Sequence, residues 1–208
     1  MYLVISEECC LGRSALEIAE LAVAGGVDIV QMREKNKSVQ ELVKIGKGLA
    51  ALCKKGGAMF IVNDDPMLAQ RVGADGVNLG QEDTERFSIE MARDAVGPDR
   101  IIGISTHSLT LFEKAMGEDV DYVAFGPVFP TKTKDYHIGT GDIREVVRLA
   151  RKPVFFIGGI DLSNVDTILG EGGRNIAMIR GITEADDIEA RAREFKGRLV
   201  RQAEAPKV

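Results

Sequence analysis

Short apolar runs alternate along the chain with longer stretches whose apolar positions recur at helical spacing. The runs predict strands from Tyr2 to Ser6, Asp28 to Met32, Phe60 to Val62, Gly76 to Leu79, Ile101 to Ser105, Asp121 to Phe125, Pro153 to Ile157 and Asn175 to Ile179. The stretches between them predict helices from Ser14 to Val23, Ser38 to Lys55, Pro66 to Val72, Phe87 to Val96, Ser108 to Met116, Ile143 to Ala150, Leu162 to Leu169 and Ala185 to Ala203. In the first helix Leu16, Ala19 and Ala22 share a face. Ser38, with Glu41 three residues on, reads as a capping box. Asp65 directly before Pro66 is the better cap for the third helix, which leaves Asp64 for another role.

The stretch from Phe60 to Asp83 is the clearest unit. A strand, a short helix closed by Gly73 and a second strand make a βαβ unit with parallel strands. Both strands run into polar residues, Asn63 and Asp64 after the first, Gly80, Gln81 and Asp83 after the second. A related pattern recurs. Ala24 to Asp28, Val72 to Gly76, Gly117 to Asp121 and Gly170 to Arg174 each join a helix to an even-numbered strand, at a spacing of roughly 45 to 55 residues. That period suits two βα units. Four such pairs give eight strands, so the chain reads as a single (β/α)8 TIM barrel, with an open doubly wound sheet as the alternative. Glycine is expected to end each helix in the left-handed conformation.

The 208 residues suffice for one domain over 1–208, with 203–208 as a loose tail. Hydrophobic residues are 45% and charged residues 28%, as in globular proteins. No apolar run approaches the ~20 residues of a membrane span. The start, Met1 to Ile5, has no basic segment and reads as a strand rather than a signal peptide. A net charge of −5 speaks against a general nucleic-acid binder. Cys9, Cys10 and Cys53 form no disulfide framework, and a reducing cytoplasm is the expected setting.

The candidate chemistry lies where the strands end. Asp64 and Asp83, brought to one rim, would suit a hard cation such as Mg²⁺. Gln31, Arg33 and Lys35 fall on one side by strand alternation and suit an anion, against the alternative of a solvated charged turn. Ser105, Thr106 and His107 follow the fifth strand without a Gly-x-Ser-x-Gly elbow, so a serine nucleophile is rejected. The loop from Gly126 to Gly141 carries Thr131, Lys132, Thr133 and Lys134, hydroxyls alternating with ammonium groups, which suits phosphate or is simply an exposed basic loop. Gly158 and Gly159, then Ile179, Arg180 and Gly181, would let a phosphate approach backbone N–H groups, or serve turn geometry alone. One cation site and two anion regions together suggest an enzyme that joins two phosphorylated molecules and releases pyrophosphate.

At these residues the chain resembles thiamine-phosphate synthase. The resemblance is carried by Gln31-Met32-Arg33-Glu34-Lys35, Phe60 to Asp83, Gly103 to Ser105, Asp121 to Lys134, Phe156 to Ile160 and Ile176 to Ile182. It implies a TIM barrel condensing hydroxymethylpyrimidine diphosphate with thiazole phosphate, or its carboxylated form, to thiamine phosphate and diphosphate. By position it implies a pyrimidine-diphosphate site at Gln31, Arg33, Lys35, Asn63, Ser105 and Lys134, with Met32 and Glu34 carried in the same segment. Asp64 and Asp83 become Mg²⁺ ligands. Thr131, Thr133, Gly158 or Gly159, Ile179 and Arg180 become the thiazole-phosphate site, with Lys132 a further substrate-binding residue of the same loop. Arg33, Lys35, Asn63, Ser105 and Lys134 are the implied catalytic set, in a dissociative mechanism without a protein nucleophile. Three features depart from the family: Asn78 stands where histidine is frequent, Arg180 where serine is also common, and residues 135–140 lack a proline. The alternatives are a related thiazole tautomerase and a non-catalytic phosphate-binding barrel. No nucleic-acid or membrane partner is expected, and a homo-oligomer is left open.

Overall fold

The computed structural model describes residues 1–80 and 87–204. Among the described residues, eight parallel strands close into one barrel in sequence order: β1 (Tyr2–Ile5), β2 (Ile29–Met32), β3 (Met59–Asn63), β4 (Gly76–Leu79), β5 (Ile101–Thr106), β6 (Tyr122–Phe125), β7 (Val154–Ile157) and β8 (Asn175–Met178). β8 returns to β1 through Tyr2 opposite Ala177. Closure excludes the open sheet. The outer layer is α1 (Ala15–Ala24), α2 (Val39–Gly56), α3 (Pro66–Val72), α4 (Ile89–Val96), α5 (Leu109–Gly117), α6 (Ile143–Leu149), α7 (Val165–Gly170), α8 (Arg180–Thr183) and α9 (Ile188–Glu204). No described helix is long and apolar enough to cross a membrane.

Strand alternation divides the core in two. Outward residues such as Leu3, Val30, Phe60, Val77, Ile102, Val123, Phe156 and Ile176 pack against the helices. Inward residues Tyr2, Val4, Ile29, Ile61, Tyr122, Phe155 and Ala177 fill the barrel itself. The fill is apolar in the lower barrel and turns polar above it. Side chains beyond that level must therefore face a cavity.

Local chemistry sets the boundaries. Ser38 and Glu41 form the expected capping box on α2, and Gly57 ends that helix at φ 73°. Asp65 Oδ1 accepts the Leu68 N–H at 2.9 Å, which makes it the cap of α3. Ser88 accepts from Met91, so α4 starts at Ile89 and not at Phe87. α7 starts late because Asp161 and Asn164 form a side-chain-bonded turn first. Two expectations are corrected. Left-handed glycines end α2 and α3, but α1 leaves through Gly25 at φ −78°, α5 through an extended Glu118 after Gly117, α6 through Ala150 and α7 through Glu171. The last helix begins at Ile188 rather than Ala185, its first turn held by Asp187 accepting from Ala190, and a one-turn helix that the sequence did not lead one to expect, α8, precedes it.

Candidate active site

At the C-terminal ends of the strands lies a cavity of about 670 Å³. β2 and the residues after it supply Gln31, Arg33 and Lys35 to its wall. Strand parity explains the set: Gln31 points in, so Met32 must point out and Arg33 in again. Met32 is accordingly buried in the layer between barrel and helices. Glu34 is also turned away. It accepts the Glu7 N–H at 2.6 Å, and burial pushes its carboxyl above the ordinary range. These two residues of the 31–35 segment stand outside the cavity wall, Met32 as core and Glu34 as an anchor. Together with the Arg33 N–H to Ile5 carbonyl bond of 2.9 Å, Glu34 fixes the segment that carries Arg33 and Lys35.

β3 ends in Asn63 and Asp64, both on the wall. Asp64 adopts φ 64°, an uncommon conformation that aspartate tolerates better than most residues. Its N–H donates to the Asn78 carbonyl at 2.8 Å. Its carboxylate accepts from the Asn63 amide and from the Gly80 N–H at 3.3 Å. Asp83 lies outside the described residues, as do Gln81 and residues 205–208. Among the described residues no group of three or more His, Cys, Asp or Glu side chains could hold a metal ion. The hard oxygen donors of Asp64 at the rim fit a cation such as Mg²⁺ as part of a ligand set.

Ser105 reaches the cavity from β5, beside Thr106 and His107. Across the mouth, Thr131, Lys132, Thr133 and Lys134 line it from the β6 loop. That loop is held against the end of β7: the Val128 N–H donates to the Ile157 carbonyl at 2.8 Å and the Phe129 N–H to the Gly158 carbonyl at 3.0 Å. Gly158 and Gly159 take φ values of 100° and 63°. A Cβ on Gly158 would fall 2.3 Å from Pro127 Cβ, and one on Gly159 2.3 Å from the Pro130 carbonyl. Glycine is required at both for this close approach. Ile179 and Arg180 close the wall where β8 passes into α8. Arg180 Nη1 donates to Thr133 Oγ1 at 3.0 Å, and its Nε pairs with Glu184 at 3.1 Å. Arg33, Lys35 and Lys134, by contrast, make no ion pair among the described residues.

The cavity also holds residues that the sequence reading did not select. Tyr2 and Val4 line its floor. The alternation of Tyr2, Val4 and Ser6 was the available signal. Glu184 and Asp186, between α8 and α9, and Arg191 of α9 line it as well. Asp186 and Arg191 were hidden by reading 185–203 as one helix, and Glu184 fell between the expected elements. Tyr136 lines the mouth, its ring edge-on to His107 at 5.9 Å.

A closed eight-stranded barrel with polar and cationic side chains gathered on one cavity at the strand C-termini defines a TIM-barrel enzyme acting on small molecules. The family model for thiamine monophosphate synthase matches residues 1–182. A thiamine-phosphate synthase of Thermosynechococcus vestitus is 41% identical over 188 residues, 88% of this chain but 52% of that protein, so the chain spans about half of that relative's length. A protein of the same name from Persephonella marina is 35% identical over 94% of this chain and 93% of its own. The solved structure of thiamine phosphate pyrophosphorylase from Pyrococcus furiosus has a TM-score of 0.87 and 34% identity, covering 97% of this chain and 96% of that one. The chain belongs to the thiamine monophosphate synthase family, transferases of thiamine biosynthesis.

Proposed function

We propose that the protein condenses 4-amino-2-methyl-5-hydroxymethylpyrimidine diphosphate with 4-methyl-5-(2-hydroxyethyl)thiazole phosphate, or with its carboxylated form with loss of CO₂, giving thiamine phosphate and diphosphate. The observation that carries this reading is the meeting of Arg33, Lys35 and Lys134 with the hydroxyls and glycines of the β6–β7 side on one cavity. Arg33, Lys35 and Lys134 hold the diphosphate through charge-assisted hydrogen bonds. Gln31, Asn63 and Ser105 orient the pyrimidine. Thr131, Thr133, Gly158, Gly159 and Arg180 hold the thiazole phosphate, the glycines because a bare backbone admits the closest approach.

The C–O bond between the methylene carbon and the diphosphate breaks with its electron pair leaving on oxygen. The thiazole nitrogen lone pair then forms the new C–N bond. No protein atom bonds to carbon. The side chains stabilise charge that develops on the leaving oxygen and hold the two rings in line. Asp64 with Asp83 would hold Mg²⁺, which when bound supplies further positive charge to the leaving diphosphate. The three buried, unpaired thiols Cys9, Cys10 and Cys53 suit a reducing compartment such as the cytoplasm. Both substrates are incubated with the protein and Mg²⁺, and both products are followed. Thiamine phosphate and diphosphate in equal amounts are expected. Folded protein that makes neither rejects the reading.

A further inference from the structure

Across the cavity floor, four hydrogen bonds in series join five residues of five strands. Gln31 Nε2 donates to the Tyr2 hydroxyl at 2.6 Å. The Tyr2 and Tyr122 oxygens lie 2.8 Å apart. Tyr122 donates to Asn78 Oδ1 at 3.0 Å, and Asn78 Nδ2 donates to Ser105 Oγ at 3.0 Å. Tyr2, Gln31, Asn78 and Tyr122 are all buried. The fold makes room for this chain. A Cβ on Gly103 would fall 2.0 Å from Tyr122 Cζ, so only glycine lets the phenol cross the barrel there. Tyr2, Tyr122 and Phe155 pack edge to face, with centroids 5.2–5.8 Å apart, which holds both phenols in place.

The placement of Asn78, with Oδ1 toward Tyr122 and Nδ2 toward Ser105, taken with proton counting, sets the direction of the series. Each contact needs one proton, and each phenol has one to give. Burial drives both phenols' ionisation well above the ordinary tyrosine value, so both keep their protons. Tyr122 spends its proton on Asn78. The contact between the phenols must then use the proton of Tyr2. The Tyr2 oxygen can only accept from Gln31, whose NH₂ faces down and whose carbonyl is left for the cavity. Among the described residues no protein donor reaches Gln31 Oε1. The opposite polarity requires every member to turn together, because any mixture leaves one contact with no proton or with two.

We infer that Tyr122 and Asn78 are positioning residues: acting through Tyr2, they lock the Gln31 amide with its carbonyl toward the cavity and so select a ring that offers an N–H donor over one that offers a carbonyl. The inference rests on the reading above, in which the ring is an aminopyrimidine. Removing Tyr122's hydroxyl leaves Tyr2 free to donate to Gln31 Oε1, and removing Asn78's carbonyl frees the proton of Tyr122. Either change lets the Gln31 amide turn over.

The test compares the aminopyrimidine diphosphate with its 4-oxo analogue, in which the amino group is a carbonyl, by kcat/KM for thiamine phosphate or its oxo counterpart. Wild type, Tyr122→Phe, Tyr2→Phe and Asn78→Ala are assayed, with thermal melting to establish folding. The preference of the wild type for the amino substrate is expected to shrink by about tenfold in each folded variant, the size of one hydrogen bond's net worth. A purely structural role would slow both substrates alike and keep the ratio. An unchanged ratio in folded variants overturns the inference while the functional reading stands. Wild-type protein that makes no thiamine phosphate overturns the functional reading itself, and the inference with it.

Discussion

Gly158 and Gly57 both lie at positive φ, 100° and 73°, but in different surroundings. A Cβ on Gly57 would meet nothing within 4 Å, whereas one on Gly158 would meet Pro127 Cβ at 2.3 Å and Cα at 2.4 Å. Gly57→Ala therefore isolates the backbone term, about 1–2 kcal/mol for an L-residue in the left-handed region. Gly158→Ala adds overpacking against a proline that cannot rotate away, about 1–3 kcal/mol more. In a protein of this size ~1 kcal/mol moves the melting temperature by about 2–4 °C. Gly158→Ala should therefore melt about 2–12 °C below Gly57→Ala, by differential scanning calorimetry. The Gly126–Lys134 loop must shift to admit the methyl, so the KM for thiazole phosphate should rise in Gly158→Ala and stay at the wild-type value in Gly57→Ala. Equal melting temperatures in the two variants would refute the packing argument, and an unchanged KM would detach the loop from the substrate site.

Further outcomes follow from the same structure. Lys134→Ala and Arg33→Ala should each lower kcat/KM by about 10- to 150-fold, the ~1.5–3 kcal/mol of a hydrogen bond to a charged group, in steady-state assays. Chelation by EDTA should abolish turnover, with recovery on adding Mg²⁺, and Asp64→Asn should raise the Mg²⁺ concentration needed for half-recovery. Burial pushes the Cys10 and Cys53 thiols up to about 12 and Cys9 upward as well, so at pH 8 the thiolate is suppressed. A disulfide reagent at that pH should label native protein slowly and three thiols once it is unfolded. Ser38→Ala breaks the capping box of α2 and should cost about 1 kcal/mol in a denaturant titration, without changing KM.

The barrel was legible because its signals are local and repeated. Apolar runs located every strand to within a residue or two, and the recurring turns after alternate helices counted them. The capping residues Ser38 and Asp65 were legible for the same reason, since each contacts backbone within three positions. What escaped was long-range or short-lived along the chain. α8 is a single turn, too brief for periodicity to reveal. The Tyr2–Tyr122 contact spans 120 positions, and nothing near either tyrosine announces the other. Alternation placed Gln31, Arg33 and Lys35 on one face; taking the intervening Met32 and Glu34 as substrate contacts ran against that same rule. Glu184 and Asp186 line the cavity from the short segment between α8 and α9, which carries no period of its own to mark them, and Arg191 lines it from α9.

The claim on which the account depends is that one barrel mouth gathers the cations and carboxylates that handle a leaving diphosphate. A crystal structure of the protein with diphosphate and Mg²⁺ tests it most directly. The account predicts diphosphate oxygens against Arg33, Lys35 and Lys134, with Mg²⁺ between them and the Asp64 and Asp83 carboxylates. Diphosphate bound away from this cavity, or Mg²⁺ held without Asp64, would contradict it.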